Sequence, residues 1–261
     1  MTRAPTILVF DSGLGGLTVY REIVAARPDA AYVYLADDAA FPYGDIAETQ
    51  LVARVIDVVG NAVAKHKPHL VVVACNTAST LALAELRNRF AVPFVGTVPA
   101  IKPACAQSRS KRVAVLGTQA TVSREYTRAL IREFAQGCEV DLVGSAKLAA
   151  FAEAELAGTP AADADIAAEV KPCFIEDGSR TDTVVLACTH YPLLLERFRK
   201  LAPWPVEWID PAPAIARRVM ELAGPKAGAD APAPAKIIFT SGKAPSPRLS
   251  AALMLFGLAA P

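Results

Sequence analysis

Charge imbalance, long apolar runs and paired cysteines are all missing from this 261-residue chain, and each absence removes a class of function. Lys and Arg number 27 against 26 Asp and Glu, a formal net charge of +1. That balance supplies no field to gather nucleic acid or an anionic membrane surface. The one dense basic stretch, Arg109-Ser110-Lys111-Arg112, reads as a solvated loop leading into a strand. Apolar runs such as Leu70 to Cys75 fall far short of the ~18 residues that a membrane span requires. The first of them, Ile7 to Phe10, is too short for the core of a secretory signal and ends in Asp-Ser-Gly. Cytoplasmic residence is the expectation. The cysteines are Cys75, Cys105, Cys138, Cys173 and Cys188, an odd and scattered set with no Cys-x-x-Cys pair and no zinc-type Cys/His spacing. Neither a disulfide framework nor a metal site is expected, so each thiol matters through packing or through reactivity.

What is present is an ample supply of core-forming residues: 53% of the chain is hydrophobic, enough for one large domain or two ordinary ones. Short apolar strands alternate with amphipathic helices. Ile7 to Phe10 and Tyr32 to Leu35 read as strands, with Leu17, Tyr20 and Val24 at helical spacing between them. Asp45-Ile46-Ala47-Glu48 has the form of a capping box, opening a helix whose buried stripe is Val52, Val55, Ile56, Val59 and Val63. Leu70 to Ala74 is a third strand. This order predicts an α/β fold on mainly parallel sheets.

The pattern restarts near residue 100. Arg112 to Leu116 runs into Gly117-Thr118 much as Ile7 to Phe10 runs into Asp11-Ser12, and Val184 to Ala187 runs into Cys188 as Val71 to Ala74 runs into Cys75. Two such correspondences at nearly equal offsets predict two pseudo-symmetric α/β domains facing each other across a cleft. The first would comprise residues 1–98 with 210–261, the second 99–209. A helix from Ala214 to Leu222, a loop from Gly224 to Ala235, a strand from Lys236 to Thr240 and a closing helix complete one of the halves.

In parallel sheets ligands gather at the carboxyl ends of strands. Asp11-Ser12-Gly13, Pro42-Tyr43-Gly44, Cys75-Asn76-Thr77, Gly117-Thr118 and Cys188-Thr189-His190 all fall at such ends. Facing halves would set Cys75 and Cys188 on opposite walls. Inverting a carbon centre by proton transfer needs a base on one face and an acid on the other, with the roles exchanged in reverse, and two groups of one kind meet that need. Asp11 could hold or receive the Cys75 proton and His190 could do so for Cys188. Ser12, Asn76, Thr77, Thr118, Thr121 and Thr189 could bind carboxylates and an ammonium, while Pro42, Tyr43 and Gly44 line the cleft. Cys105, Cys138 and Cys173 read as core residues, and His66 and His69 as solvated or dipole-facing at a helix end.

The blocks FDSGLGGLTV (10–19), FPYG (41–44), ACNTAS (74–79), VPAIKPA (98–104), GTQATVSREY (117–126), ACTHYPLL (187–194) and the closing TSG (240–242) resemble, in order, those of the cofactor-independent glutamate racemases of the aspartate/glutamate racemase superfamily. The resemblance implies interconversion of L- and D-glutamate for peptidoglycan by an enzyme with no cofactor and no metal. It also implies glutamate as the small-molecule partner, no nucleic-acid or membrane partner, and a homodimer. By the same resemblance Cys75 would deprotonate D-glutamate and Cys188 L-glutamate. It further implies an assisting glutamate in KLAAFAEAELAG (147–158), best matched by Glu153; Glu155 stands nearby and the usual proline before the helix is missing. Asp38 stands where Thr or Asn is commoner. The rivals are a racemase of aspartate or another small amino acid, and a non-catalytic amino-acid-binding protein; a cysteine hydrolase leaves the second thiol unexplained.

Overall fold

The structure is a computed structural model that describes residues 4–226 and 235–259. The chain begins with β1 (Thr6–Asp11), α1 (Leu17–Ala26), β2 (Ala31–Ala36), α2 (Glu48–His66), β3 (Leu70–Val73), α3 (Asn76–Arg89), β4 (Phe94–Gly96) and α4 (Ile101–Gln107). It continues with β5 (Arg112–Thr118), α5 (Gln119–Ser123), α6 (Glu125–Phe134), β6 (Glu139–Ser145), α7 (Leu148–Ala157) and α8 (Asp163–Val170). A small hairpin of β7 (Glu176–Asp177) and β8 (Ser179–Arg180) precedes β9 (Thr183–Ala187), α9 (Leu195–Leu201), β10 (Glu207–Ile209) and α10 (Ala212–Leu222). β11 (Ala235–Phe239), α11 (Pro247–Leu255) and β12 (Leu258–Ala259) close the described chain.

Two parallel sheets result, one of six strands in the order β12-β11-β2-β1-β3-β4 and one of four in the order β10-β9-β5-β6. The first draws strands from both ends of the chain, because β11 pairs with β2 in register from Lys236 opposite Val33 to Phe239 opposite Ala36. Alternation along each buried strand feeds two cores. In β1, Ile7 and Val9 face a core shared with α1 and α10, whereas Leu8 and Phe10 face one shared with α2 and α3. Phe10 and Asp11 are both wholly buried, so β1 delivers a carboxylate into a dry interior.

Several details differ from the sequence reading. The centre line of α2 is Leu51, Val55, Val59 and Ala62, with Ile56 beside it, while Val52 and Val63 are only partly buried on the shoulders. Steps of four and three residues track a 3.6-residue period better than the stripe read from β-branched residues alone. The capping box does not form: Asp45 belongs to a 3-10 turn over Tyr43–Asp45, and α2 starts at Glu48 after an extended Ala47 that makes no side-chain cap. The basic stretch is only partly solvated. Arg112 is buried against Glu139 at 3.0 Å and Asp141 at 3.2 Å, and the Arg109 and Ser110 N–H groups cap Asp182. His69 is exposed, as the sequence reading expected, and its Nδ1 accepts the Thr6 N–H at 3.0 Å. Of the loop from Gly224 to Ala235, residues 227–234 lie outside the described residues, as do 1–3 and 260–261 of the first expected domain.

Candidate active site

Both cysteines of interest lie within two residues of the end of a buried strand, and the two sheets bring them to one cavity. Cys75 comes two residues after β3, in extended backbone, as the N-cap of α3; its Sγ accepts the Ala78 N–H at 3.5 Å, where a Ser or Asp oxygen normally would. Its thiol donates to Ser12 Oγ at 3.6 Å. Burial, then the charge of Asp11, pushes the Cys75 thiol up to about 12, against the pull of the Ala78 N–H and Ser12. Burial thus favours the thiol over the thiolate on this wall.

The other wall is built from the second sheet. Cys188 follows β9, and its Sγ lies 3.8 Å from His190 Nδ1. His190 is 2% exposed, and its Nε2 meets Glu153 Oε1 of α7 at 3.0 Å. Burial opposes charge on this imidazole, but the hydrogen bonds to Cys188 and Glu153, with the charges of Cys188 and Asp11, outweigh it and hold its pKa well above the usual range. A cationic imidazole donates from both nitrogens, one toward carboxylate and one toward sulfur. Glu155 points elsewhere and pairs with Arg197 at 3.1 Å.

Short bonds stitch the walls together. Thr189 Oγ1 donates to Asp11 Oδ1 at 3.2 Å, Thr18 Oγ1 to Thr189 O at 3.1 Å, and the Leu14 N–H to Glu153 Oε1 at 2.8 Å. The glycines after Asp11 allow this approach. A Cβ on Gly13 would stand 2.1 Å from Glu153 Oε1, and one on Gly15 2.4 Å from His190 Nδ1 and 2.7 Å from the His190 backbone nitrogen.

The cavity between the walls is lined by Ser12, Pro42, Tyr43, Gly44, Cys75, Asn76, Thr77, Thr118, Cys188, Thr189 and His190, with Phe41 and Ala149. Thr121 stands behind Thr118, completing a hydroxyl triangle with it at 3.0 Å and with Thr77 at 3.4 Å. Asp11 and Glu153 lie behind the wall and reach the cavity through Thr189 and His190. Tyr43 contributes its ring, since its hydroxyl donates to Asp37 Oδ2 at 2.5 Å. Asn76 is 2% exposed, its Oδ1 accepting from Thr97 Oγ1 at 3.4 Å. Its Nδ2 is, among the described residues, the buried side-chain nitrogen or oxygen left without a partner. An orphan donor in a polar cavity marks where a ligand oxygen belongs. Only about 20 Å³ of water-accessible volume remains, room for about one water. A roomier groove of about 430 Å³ beside α8 is walled chiefly by alanine and other apolar side chains, with Lys171 its one charge. Among the described residues no group of three or more His, Cys, Asp or Glu side chains could hold a metal ion, and no helix is long and apolar enough to cross a membrane.

Sequence reasoning passed over four contributors. Phe41 tilts against His190 with ring centroids 5.3 Å apart, and only its place before Pro42 hinted at this. Ala149 and Thr97 carry no signal of their own. Arg124, within the 117–126 block, is buried on the Asn76-Thr77 side of the cleft.

The sequence profile of Asp/Glu/Hydantoin racemase matches residues 7–219. The glutamate racemase of Brucella canis is 57% identical over 218 residues, covering 83% of this chain and 79% of its own. A crystal structure of Escherichia coli glutamate racemase, in complex with L-glutamate and the activator UDP-MurNAc-Ala, superimposes with a TM-score of 0.88 at 40% identity, over 99% of both chains. The glutamate racemase of Aquifex pyrophilus superimposes with a TM-score of 0.73 at 30% identity, over 98% of this chain and 96% of that one.

Proposed function

Because the chain belongs to the Asp/Glu/Hydantoin racemase family, we propose that it interconverts L- and D-glutamate by two-base proton transfer between Cys75 and Cys188. The observation that carries this reading is that both sulfurs line one small cavity, each on its own wall and each with its own charge-handling neighbours. Binding alone would need neither thiol.

In one direction the Cys75 thiolate takes the α-proton and becomes a thiol, while the electron pair left on carbon spreads onto the α-carboxylate. Cys188 then gives its own proton to the opposite face and is left as the thiolate. His190, held cationic by Glu153, faces that sulfur and stabilises the charge it acquires. On the other side the Ala78 N–H and Ser12 stabilise charge on Cys75. The reverse reaction exchanges acid and base, and because enantiomers are equal in free energy neither direction is favoured. Asn76 Nδ2 and the N–H groups at the start of α3 are the donors for a carboxylate, where they also meet the charge that develops in the transition state. Asp11 orients Thr189 and the Gly13 N–H rather than touching the substrate. The chemistry uses protein thiols, with D-glutamate going to peptidoglycan. Five free cysteines suit a reducing, cytoplasmic setting.

The test is α-hydrogen exchange. Purified protein in deuterated buffer, with no cofactor added, should incorporate deuterium at Cα of glutamate and abolish its optical rotation. Activity that survives Cys75→Ala and Cys188→Ala together would reject the mechanism, and faster exchange with aspartate would reassign the substrate.

A further inference from the structure

The cavity has room for about one water, so an amino acid cannot enter or leave unless the two halves separate. Some contact must therefore favour closure while remaining breakable in each turnover. The hydroxyl contacts between Thr77 and Thr118 or Thr121 are long, at 3.3 and 3.4 Å, and the bonds of Thr189 and Leu14 belong to the positioning of Asp11 and Glu153.

Arg124 is built differently. It stands in the second half, between α5 and α6, and is 8% exposed, an unusual state for a guanidinium. Its Nη1 crosses to α3 of the first half and donates to Thr77 O at 2.8 Å and to Thr80 Oγ1 at 2.6 Å. Its Nε reaches Glu48 Oε1 at 3.4 Å, but Glu48 is largely exposed and that pair contributes little. The carbonyl it holds belongs to Thr77, next to the orphan Asn76 and two residues from Cys75. A charge-assisted bond from one half to the backbone of the other, at the edge of the reacting cavity, closes the cleft and fixes the first turn of α3 in one act.

We propose that Arg124 is the latch of the cleft, a positioning residue whose bonds to Thr77 O and Thr80 Oγ1 hold the two halves closed over the substrate and break to release it. That the occupant is an amino acid rests on the racemase reading; the latching itself does not.

Alkylation of the whole protein by iodoacetamide, read peptide by peptide by mass spectrometry, measures opening without reference to catalysis. Cys188 is 6% exposed and reports on the cleft, while Cys173, at 0% in the core of the second half, reports on unfolding. In Arg124→Gln, loss of charged hydrogen bonds should speed Cys188 labelling about tenfold with Cys173 unchanged. Arg124→Lys, whose ammonium can still donate to Thr77 O, should fall between the two. In racemisation assays KM should rise about tenfold while kcat stays within about twofold, because closing becomes a cost that binding must meet. If Arg124→Gln labels Cys173 as fast as Cys188, Thr80→Val decides: loss of that acceptor should speed Cys188 labelling by about threefold. Cys188 labelling unchanged in a folded variant would overturn the latch. A fall in kcat with KM unchanged would do so too, pointing to an electrostatic effect on Cys75. Wild-type protein that does not racemise glutamate, yet shows the labelling response, would retain the latch and reject the racemase reading.

Discussion

His190 and Asn76 show how far single residues are committed to the site. In Glu153→Gln the imidazole loses an anionic acceptor and its proton affinity falls, so the alkaline limb of the kcat/KM profile should move to lower pH, with a matching shift in the His190 ring titration followed by NMR. Glu155→Gln breaks only the pair with Arg197 and should leave both unmoved. The raised pKa is also a stability statement. The native state binds this proton more tightly than the unfolded one, so the contribution is complete below about pH 6.5 and is lost as pH rises through the native value. The urea midpoints of wild type and Glu153→Gln should therefore converge in alkaline buffer. For Asn76→Ala we expect KM to rise about tenfold or more. Its thermal midpoint should change little, because removing a buried donor that has no partner offsets the loss of the long bond from Thr97. A variant that keeps its KM would contradict this reading of Nδ2.

Elements carry these residues into place through backbone proximity as much as through side chains. The segment from Gly13 to Gly16 exists so that the loop after β1 can lie against His190 and Glu153. In Gly15→Ala the added carbon would meet the His190 ring and its backbone nitrogen, and the backbone cannot yield cheaply. A loss of about 1–3 kcal/mol by urea denaturation is expected, with a larger drop in turnover than in stability because His190 itself is displaced. The strands leading to Cys75 and Cys188 were legible because an unbroken apolar run of β-branched residues has few other uses, and the polar residues at their ends were legible because strand ends are where such residues collect. The start of α2 was not. Asp45 and Glu48 have capping-box spacing, but the turn after Pro42 takes Asp45, and Arg124 from the other half takes Glu48. Nor could the sequence show the network in which Asp37 accepts from Tyr43, Arg54 and Thr240, or that Asp38, unusual for its place, accepts from the Ser241 N–H at 2.9 Å. The pairs with Thr240 and Ser241 join residues some two hundred positions apart, and local pattern has no knowledge of which distant segment returns.

At the scale of the molecule, two parallel sheets were expected from the alternation of strands and helices, and six and four strands are found. The repeat in strand ends was informative because both sheets present the carboxyl ends of their strands to one cavity. Thr97 stayed hidden because its bond to Asn76 joins the ends of two neighbouring strands, and Arg124 because its partners Thr77 and Thr80 lie beside the other sheet. The dry interior has a consequence in alkali. Burial pushes the thiols of Cys75, Cys105 and Cys173 up to about 12, so between about pH 9 and that value the unfolded chain releases protons that the folded chain keeps. Stability should fall steadily over that range, and Cys173→Ala should flatten the slope of the urea midpoint against pH.

The six-stranded sheet also fixes an order of events during synthesis. Until residues 235–239 leave the ribosome, β2 has β1 on one side and no strand on the other, an unpaired edge carried by the nascent chain while some two hundred residues are made. The front half of the sheet must wait for a strand that follows β2 by some two hundred residues.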